Sequence, residues 1–167
     1  VLSETETLWF AIALFAVVTL AGLWLTAIAG PDLLWIGFAG LLIGWAYSAP
    51  PLKLNSRGLG ELCVAAGWVI IVIGADYVQR RAFAPLPLIA AISYALHVTN
   101  ILYINQFPDR VADAAAGKYH WVVRLGPERA RYGYIAIAGV AYGWLIGAVI
   151  AGTLPLVTLL ALLSAVP

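Results

Sequence analysis

The chain has 167 residues, a formal net charge of +1, 63% hydrophobic residues and only 10% charged ones. Soluble domains carry roughly 25% charged residues, and the apolar residues here come in long blocks, so the composition points to an integral membrane protein in contact with a lipid bilayer. It excludes a nucleic-acid binder, because no stretch is basic enough to meet phosphate backbones, and the single Cys63 excludes a disulfide or thiolate-metal framework.

Ser3 and Glu6 have the spacing of a capping box and predict a helix start. Leu8 to about Ala29 forms a first span, close to the ~20 residues a bilayer needs. Gly30-Pro31-Asp32 is a turn, and Leu33 to about Tyr47 is a second, short span whose Gly37, Gly40 and Gly44 predict close helix packing. A polar island, Tyr47 to Glu61, follows. Pro50 and Pro51 forbid a continuing helix there. Leu62 to about Ala75 is a third span, closed by Asp76 and Gln79-Arg80-Arg81. Ala84-Pro85 opens the fourth, about Leu88 to Ile104, which carries Tyr94, His97, Thr99 and Asn100. Polar groups in a span face a cavity or a neighbouring helix. Cavity lining and an interhelical hydrogen bond are both open for His97 and Asn100.

The second polar island is a charged loop between apolar blocks. It runs from Asn105 through Asp109 and Asp113 to Gly117-Lys118. On a helical turn, positions i and i+4 share a face, so Asp109 and Asp113 can address one object, with Asn105 joining them if Pro108 only kinks the chain. Paired carboxylates at a membrane edge make a Mg²⁺ seat, in which phosphate oxygens fill other positions. Arg110, Lys118 and Arg124 stand near in sequence to take phosphate charge. The competing reading is a solvated loop with ordinary charges. Gly126-Pro127 predicts the start of a fifth span, about Ala130 to Ala151, and a sixth follows Pro155 and reaches Pro167 after about a dozen residues.

The two islands follow the second and fourth spans and so share one membrane face. That face carries Lys53, Arg57, Arg110, Lys118, Arg124, Arg129 and Arg131, against Arg80 and Arg81 opposite. Positive-inside bias puts the islands in the cytoplasm, and in a bacterial cell this means the inner (cytoplasmic) membrane.

Taken together, Tyr47-Ser-Ala-Pro-Pro-Leu-Lys53, Arg57-Gly-Leu-Gly-Glu61, Asn105-xxx-Asp109-xxx-Asp113-xxx-Gly117-Lys118 and Val123-Arg124-Leu125-Gly126 resemble the UbiA superfamily of intramembrane prenyltransferases. The first two motifs are most similar to the menaquinone branch, the 1,4-dihydroxy-2-naphthoate polyprenyltransferases. The resemblance runs through the whole chain in order. It implies an all-α, multi-spanning transmembrane bundle, with about six of nine family spans present here. It implies Mg²⁺ held against the diphosphate of a polyprenyl diphosphate, and a small aromatic acceptor, as in quinone biosynthesis. Asp109 and Asp113 match the second Asp-rich motif and become the expected metal ligands. Tyr47 and Lys53 fall where the family has a Tyr and a Lys near the diphosphate, and both join the expected catalytic set. Asn105, Lys118, Arg124, Arg57 and His97 are the expected further substrate contacts. Arg57 and Glu61 are read first as fixing their loop, by mutual pairing or capping, and only second as touching substrate.

The sequence departs from the family pattern in one respect: the first Asp-rich motif, Asn-x-x-x-Asp-x-x-x-Asp, is missing. Four spans normally separate the two motifs, which places the missing one just upstream of Val1. Residues 1–167 then read as a single transmembrane domain truncated at both ends, and the isolated chain is expected to be inactive. A transporter or quinone-binding membrane subunit is the rival from another class. It also uses polar residues and broken segments within spans, but it leaves the carboxylate pair beside Gly117-Lys118 unexplained.

Overall fold

The computed structural model describes residues 3–165. Six α-helices follow one another: α1 (Glu4–Ala29), α2 (Leu33–Ser48), α3 (Gly60–Arg80), α4 (Pro85–Ala115), α5 (Trp121–Leu125) and α6 (Pro127–Ile150). One 3₁₀ turn spans Leu54–Arg57, and a 3₁₀ run spans Leu156–Ala165. There is no strand among the described residues, so the fold is an all-α bundle. α1, α3, α4 and α6 are long and apolar enough to cross a membrane, whereas α2 and Leu156–Ala165 are apolar but shorter. The chain is an integral membrane protein. The expected end of the sixth span at Pro167 lies outside the described residues.

The helix boundaries follow local chemistry. Glu6 N donates to Ser3 Oγ at 3.2 Å and Ser3 N donates to Glu6 Oε2 at 2.7 Å, so the predicted capping box starts α1. Pro85 and Pro127 occupy the first turns of α4 and α6, where a missing N–H is harmless. α1 exposes nearly all of its apolar side chains, as a helix immersed in lipid does, and buries only Ala29, which packs with Leu33 and Tyr77.

α4 is the hub and packs most extensively against α3 and α6. Its seam with α6 is polar and closely fitted. Ser93 Oγ donates to Ala141 O at 2.9 Å, Asn100 Nδ2 to Tyr134 O at 3.1 Å, Tyr103 Oη to Ala130 O at 2.9 Å and Trp144 Nε1 to Ile89 O at 2.8 Å. Without a hydrophobic drive between helices in lipid, such bonds and small residues hold them together. Gly133 is the small residue here, because a Cβ on it would run into Tyr103 Oη. Across the other seam, Gln106 Nε2 donates to Glu61 Oε1 at 2.9 Å. The glycines of α2 divide in their roles. Gly40 has Ile70 of α3 in van der Waals reach, but Gly37 and Gly44 have open space beside them, so close packing accounts for one of the three.

The stretch Asn105–Asp113, read from sequence as a loop, is helical. α4 runs through Pro108 to Ala115 and is 31 residues long. At ~1.5 Å rise per residue it spans about 46 Å, well beyond the ~30 Å apolar layer, so its last turns stand clear of the hydrocarbon.

Candidate active site

One wall of the site is the segment between α2 and α3. Pro50 and Pro51 end α2, and Lys53 takes a left-handed conformation (φ 43°, ψ 52°) that turns the chain into the 3₁₀ turn Leu54–Arg57. A non-glycine residue in that region is strained, and such strain persists where the surroundings hold it. Arg57 Nη2 donates to Pro51 O at 2.8 Å and ties the segment to itself.

The other wall is the exposed end of α4 with the chain that follows. Pro108 has no N–H to offer the preceding turn, yet the helix continues because Gln106 is anchored on Glu61 and Phe107 packs on Tyr103. Asn105, Asp109 and Asp113 therefore recur at intervals of four on one continuous helix, about 6 Å of rise apart. Gly117, at φ 76°, reverses the chain. The next residues come back onto α4: Lys118 Nζ lies 3.0 Å from Asp113 Oδ1 and His120 Nε2 lies 3.1 Å from Asp113 Oδ2. Lys118 leaves 44% of its side chain exposed and His120 only 4%. Asp109 is exposed and has no ion-pair or hydrogen-bond partner among the described residues.

The two islands, more than forty residues apart in sequence, are latched together. Tyr119 N donates to Ser56 O at 2.9 Å. Arg124 donates through Nε to Tyr119 O and through Nη2 to Arg57 O, the latter at 3.0 Å. Between them lies a cleft of about 650 Å³ lined by Lys53, Ser56, Arg57, Gly117, Tyr119 and Arg124. Three of those six residues are cationic, and the Asp113–Lys118 pair adjoins Gly117. Such a cleft suits a multiply charged anion.

Of the residues singled out from sequence, Lys53, Arg57, Lys118, Arg124, Asp109 and Asp113 come together at this end of the bundle. Tyr47 joins them, close enough to Lys118, Asp113 and Glu61 to feel their charges. Asn105 sits one turn before Asp109, exposed. His97 is not brought to the cleft. Its ring stands edge-on to Tyr142 of α6 with centroids 4.6 Å apart, twelve residues before Asp109 on α4. Tyr94 turns instead toward Trp68 of α3, so these two polar residues of the fourth span meet different neighbouring helices. Arg57 and Arg124 spend donors on backbone carbonyls and act as latch as well as charge. Sequence reasoning passed over His120 and Tyr119. The available signal was Gly117, whose reversal folds residues 118–120 back onto the preceding helix.

Two carboxylates at i and i+4 fit Mg²⁺, which is usually held by one or two carboxylates with phosphate oxygens and waters completing an octahedron. Among the described residues there is no group of three or more His, Cys, Asp and Glu that would make a closed protein cage. The donor chemistry therefore suits a cation shared with a phosphorylated ligand, with Asp109 and Asp113 as its protein ligands.

Comparison with known proteins decides the family. The model of the UbiA prenyltransferase family matches residues 1–166. This chain belongs to the UbiA prenyltransferase family. It is 28% identical over 120 residues to a 1,4-dihydroxy-2-naphthoate octaprenyltransferase of Mycobacterium leprae, covering 71% of this chain and 41% of that protein. It is 31% identical over 125 residues to the protein of the same name from Mycobacterium tuberculosis, covering 72% and 43%. A 2-carboxy-1,4-naphthoquinone phytyltransferase of Synechocystis is 33% identical over 94 residues, covering 56% and 30%. These names agree with the menaquinone-type motifs around Tyr47 and Arg57. The chain spans less than half the length of these UbiA relatives. No solved structure matches it significantly.

Proposed function

We propose that the protein takes part in the transfer of a polyprenyl group from a polyprenyl diphosphate to a small aromatic acceptor within the membrane, with a dihydroxynaphthoate as the acceptor. The observation that carries this reading is the convergence of two separate polar islands on one cationic cleft beside a carboxylate-bearing helix face. Names of relatives in the naphthoate branch support the acceptor class. In this reading residues 1–167 belong to one transmembrane domain in the inner membrane, and the islands face the cytoplasm, from which a water-soluble aromatic acid and a diphosphate headgroup approach.

Each residue has a definable task. The diphosphate is a poor leaving group until its developing charge is met. Lys53, Arg57 and Arg124 supply donors around the cleft, and Lys118 stands beside it on Asp113; the latch bonds of Arg124 and Arg57 hold the two guanidinium groups in place before the substrate arrives. Asp109 and Asp113 would hold Mg²⁺, which would neutralise phosphate charge and orient the leaving group. Tyr47 stands between this charged end and the apolar interior, where an electron-rich ring face attracts a cation. As the C–O bond to the diphosphate breaks, the allylic carbon develops positive charge; the acceptor ring attacks it and then loses a proton, a naphthoate acceptor losing its carboxyl group as well, while apolar helices keep competing water away.

The test is prenyl transfer by the full-length protein with 1,4-dihydroxy-2-naphthoate and a polyprenyl diphosphate. Asp109→Asn and Asp113→Asn are each expected to lower turnover by at least about 100-fold, the scale of losing one charge-stabilising group, while the protein remains membrane-inserted. Undiminished turnover in both variants would refute the metal assignment. No transfer by the wild-type protein to any aromatic acceptor would refute the reaction class.

A further inference from the structure

The proposed metal site contains two carboxylates in unlike circumstances. Asp109 is exposed and free of protein partners among the described residues, whereas both oxygens of Asp113 are engaged, Oδ1 by Lys118 and Oδ2 by His120. The two partners differ in turn. Lys118 sits at the end of a flexible four-carbon stem, nearly half exposed beside the cleft. His120 is 3% exposed and locked just before Trp121, where Arg124 N bonds back to His120 O at 3.1 Å. Its Nδ1 is buried with no partner among the described residues, where the imidazole has one directed contact, the one to Asp113. For that contact to be a hydrogen bond, Nε2 carries the hydrogen and donates to Oδ2.

Resting on the metal–diphosphate reading above, we propose that His120 is the positioning residue of this site: it fixes the rotamer of Asp113 by holding Oδ2, while Lys118 is the exchangeable partner that yields Oδ1 to the metal and turns to the diphosphate. A carboxylate oxygen has two lone-pair sites, so a metal and a donor can share Asp113 without displacing His120. In such an exchange the carboxylate would keep a cationic neighbour, and the released ammonium would be available to an incoming anion. Hydrogen bonds of this outer kind orient metal ligands, and their loss weakens metal binding by about 10- to 100-fold.

The test is a Mg²⁺ titration of the full-length protein in detergent, at fixed inorganic pyrophosphate, read as the rise in unfolding midpoint. If the wild type shows no Mg²⁺–pyrophosphate stabilisation, the metal–diphosphate reading itself fails and takes this inference with it. With a responsive wild type, His120→Leu, which keeps volume but removes the donor, is expected to need about tenfold or more Mg²⁺ for the half-maximal shift. His120→Gln, whose amide N–H can replace Nε2–H, is expected to recover most of the response. In an Asp113→Asn background, His120→Leu should add no further loss. A wild-type response in His120→Leu, equal losses in Leu and Gln, or an added loss in the Asp113→Asn background would each overturn the proposal. If His120→Leu and His120→Ala both fail to fold while His120→Gln folds and responds normally, the bond serves the fold rather than the metal, and the proposal is overturned as well.

Discussion

Lys53 offers a clean separation of structural from functional need. Its left-handed backbone disfavours every residue with a Cβ by about 1–2 kcal/mol. Glycine at this position would relieve that strain, while the added freedom of the unfolded chain returns about 0.4–1 kcal/mol. Lys53→Gly is therefore expected to be between neutral and about 1.5 kcal/mol more stable than wild type. Its ammonium, however, lines the cationic cleft. A hydrogen bond to a charged group contributes about 1.5–3 kcal/mol, so kcat/KM for the diphosphate donor should fall about 10- to 150-fold at 1.36 kcal/mol per decade. Lys53→Ala should lose the same activity but keep the strain, and so be less stable than the glycine variant. Thermal unfolding in detergent and steady-state prenyl transfer, measured on the same preparations, give both quantities. If Lys53→Gly destabilises the protein, or leaves transfer undiminished, the reasoning that strain is retained here for the sake of the charge is wrong.

At Gly133, an added methyl would run into Tyr103 Oη and force that ring off its bond to Ala130 O. Overpacking of about 1–3 kcal/mol and a lost hydrogen bond of about 0.5–1.5 outweigh a helix-propensity gain of about 1, so Gly133→Ala should destabilise by roughly 0.5–3.5 kcal/mol. Tyr103→Phe in the same molecule should recover part of that loss, as read from unfolding midpoints. Arg124→Lys removes the fork that joins Tyr119 O to Arg57 O while keeping the charge. It should raise the rate of limited proteolysis within residues 51–58 and 117–121 and weaken pyrophosphate binding. An unchanged digestion pattern would show that the latch is dispensable.

The spans were legible because apolar blocks of about 20 residues have few alternatives in a chain this poor in charge. Ser3 with Glu6, Pro85 and Gly126-Pro127 marked helix starts correctly, since each acts through its immediate neighbours. The family was legible from the motif wording around Tyr47, Arg57 and Asp109. The end of α4 was harder to read. Apolar periodicity stops at Ile104 and Pro108 reads as a breaker, yet the helix persists because Gln106 finds Glu61, forty-five residues away. The anchoring of Asp113 was hidden for a related reason: His120 reaches it only after Gly117 has reversed the chain. Arg124 was read as a phosphate contact from its charge, and Arg57 as fixing its loop through Glu61. Their bonds to Pro51, Tyr119 and Arg57 carbonyls leave no trace in side-chain spacing, because the acceptors are backbone atoms.

The unbroken course of α4 makes it a mechanical lever. The outermost of its bonds to α6 among the described residues is that of Tyr103 to Ala130 O, and Asp109 lies six residues farther along, an arm of about 9 Å. A tilt of about 6° there swings that carboxylate by about 1 Å, a misplacement of the size that can slow an enzyme about 100-fold. Substitutions at Ser93 or Asn100, buried in the α4–α6 seam and away from the cleft, would then be felt at the cleft. So would a bilayer whose thickness changes the angle at which α4 stands.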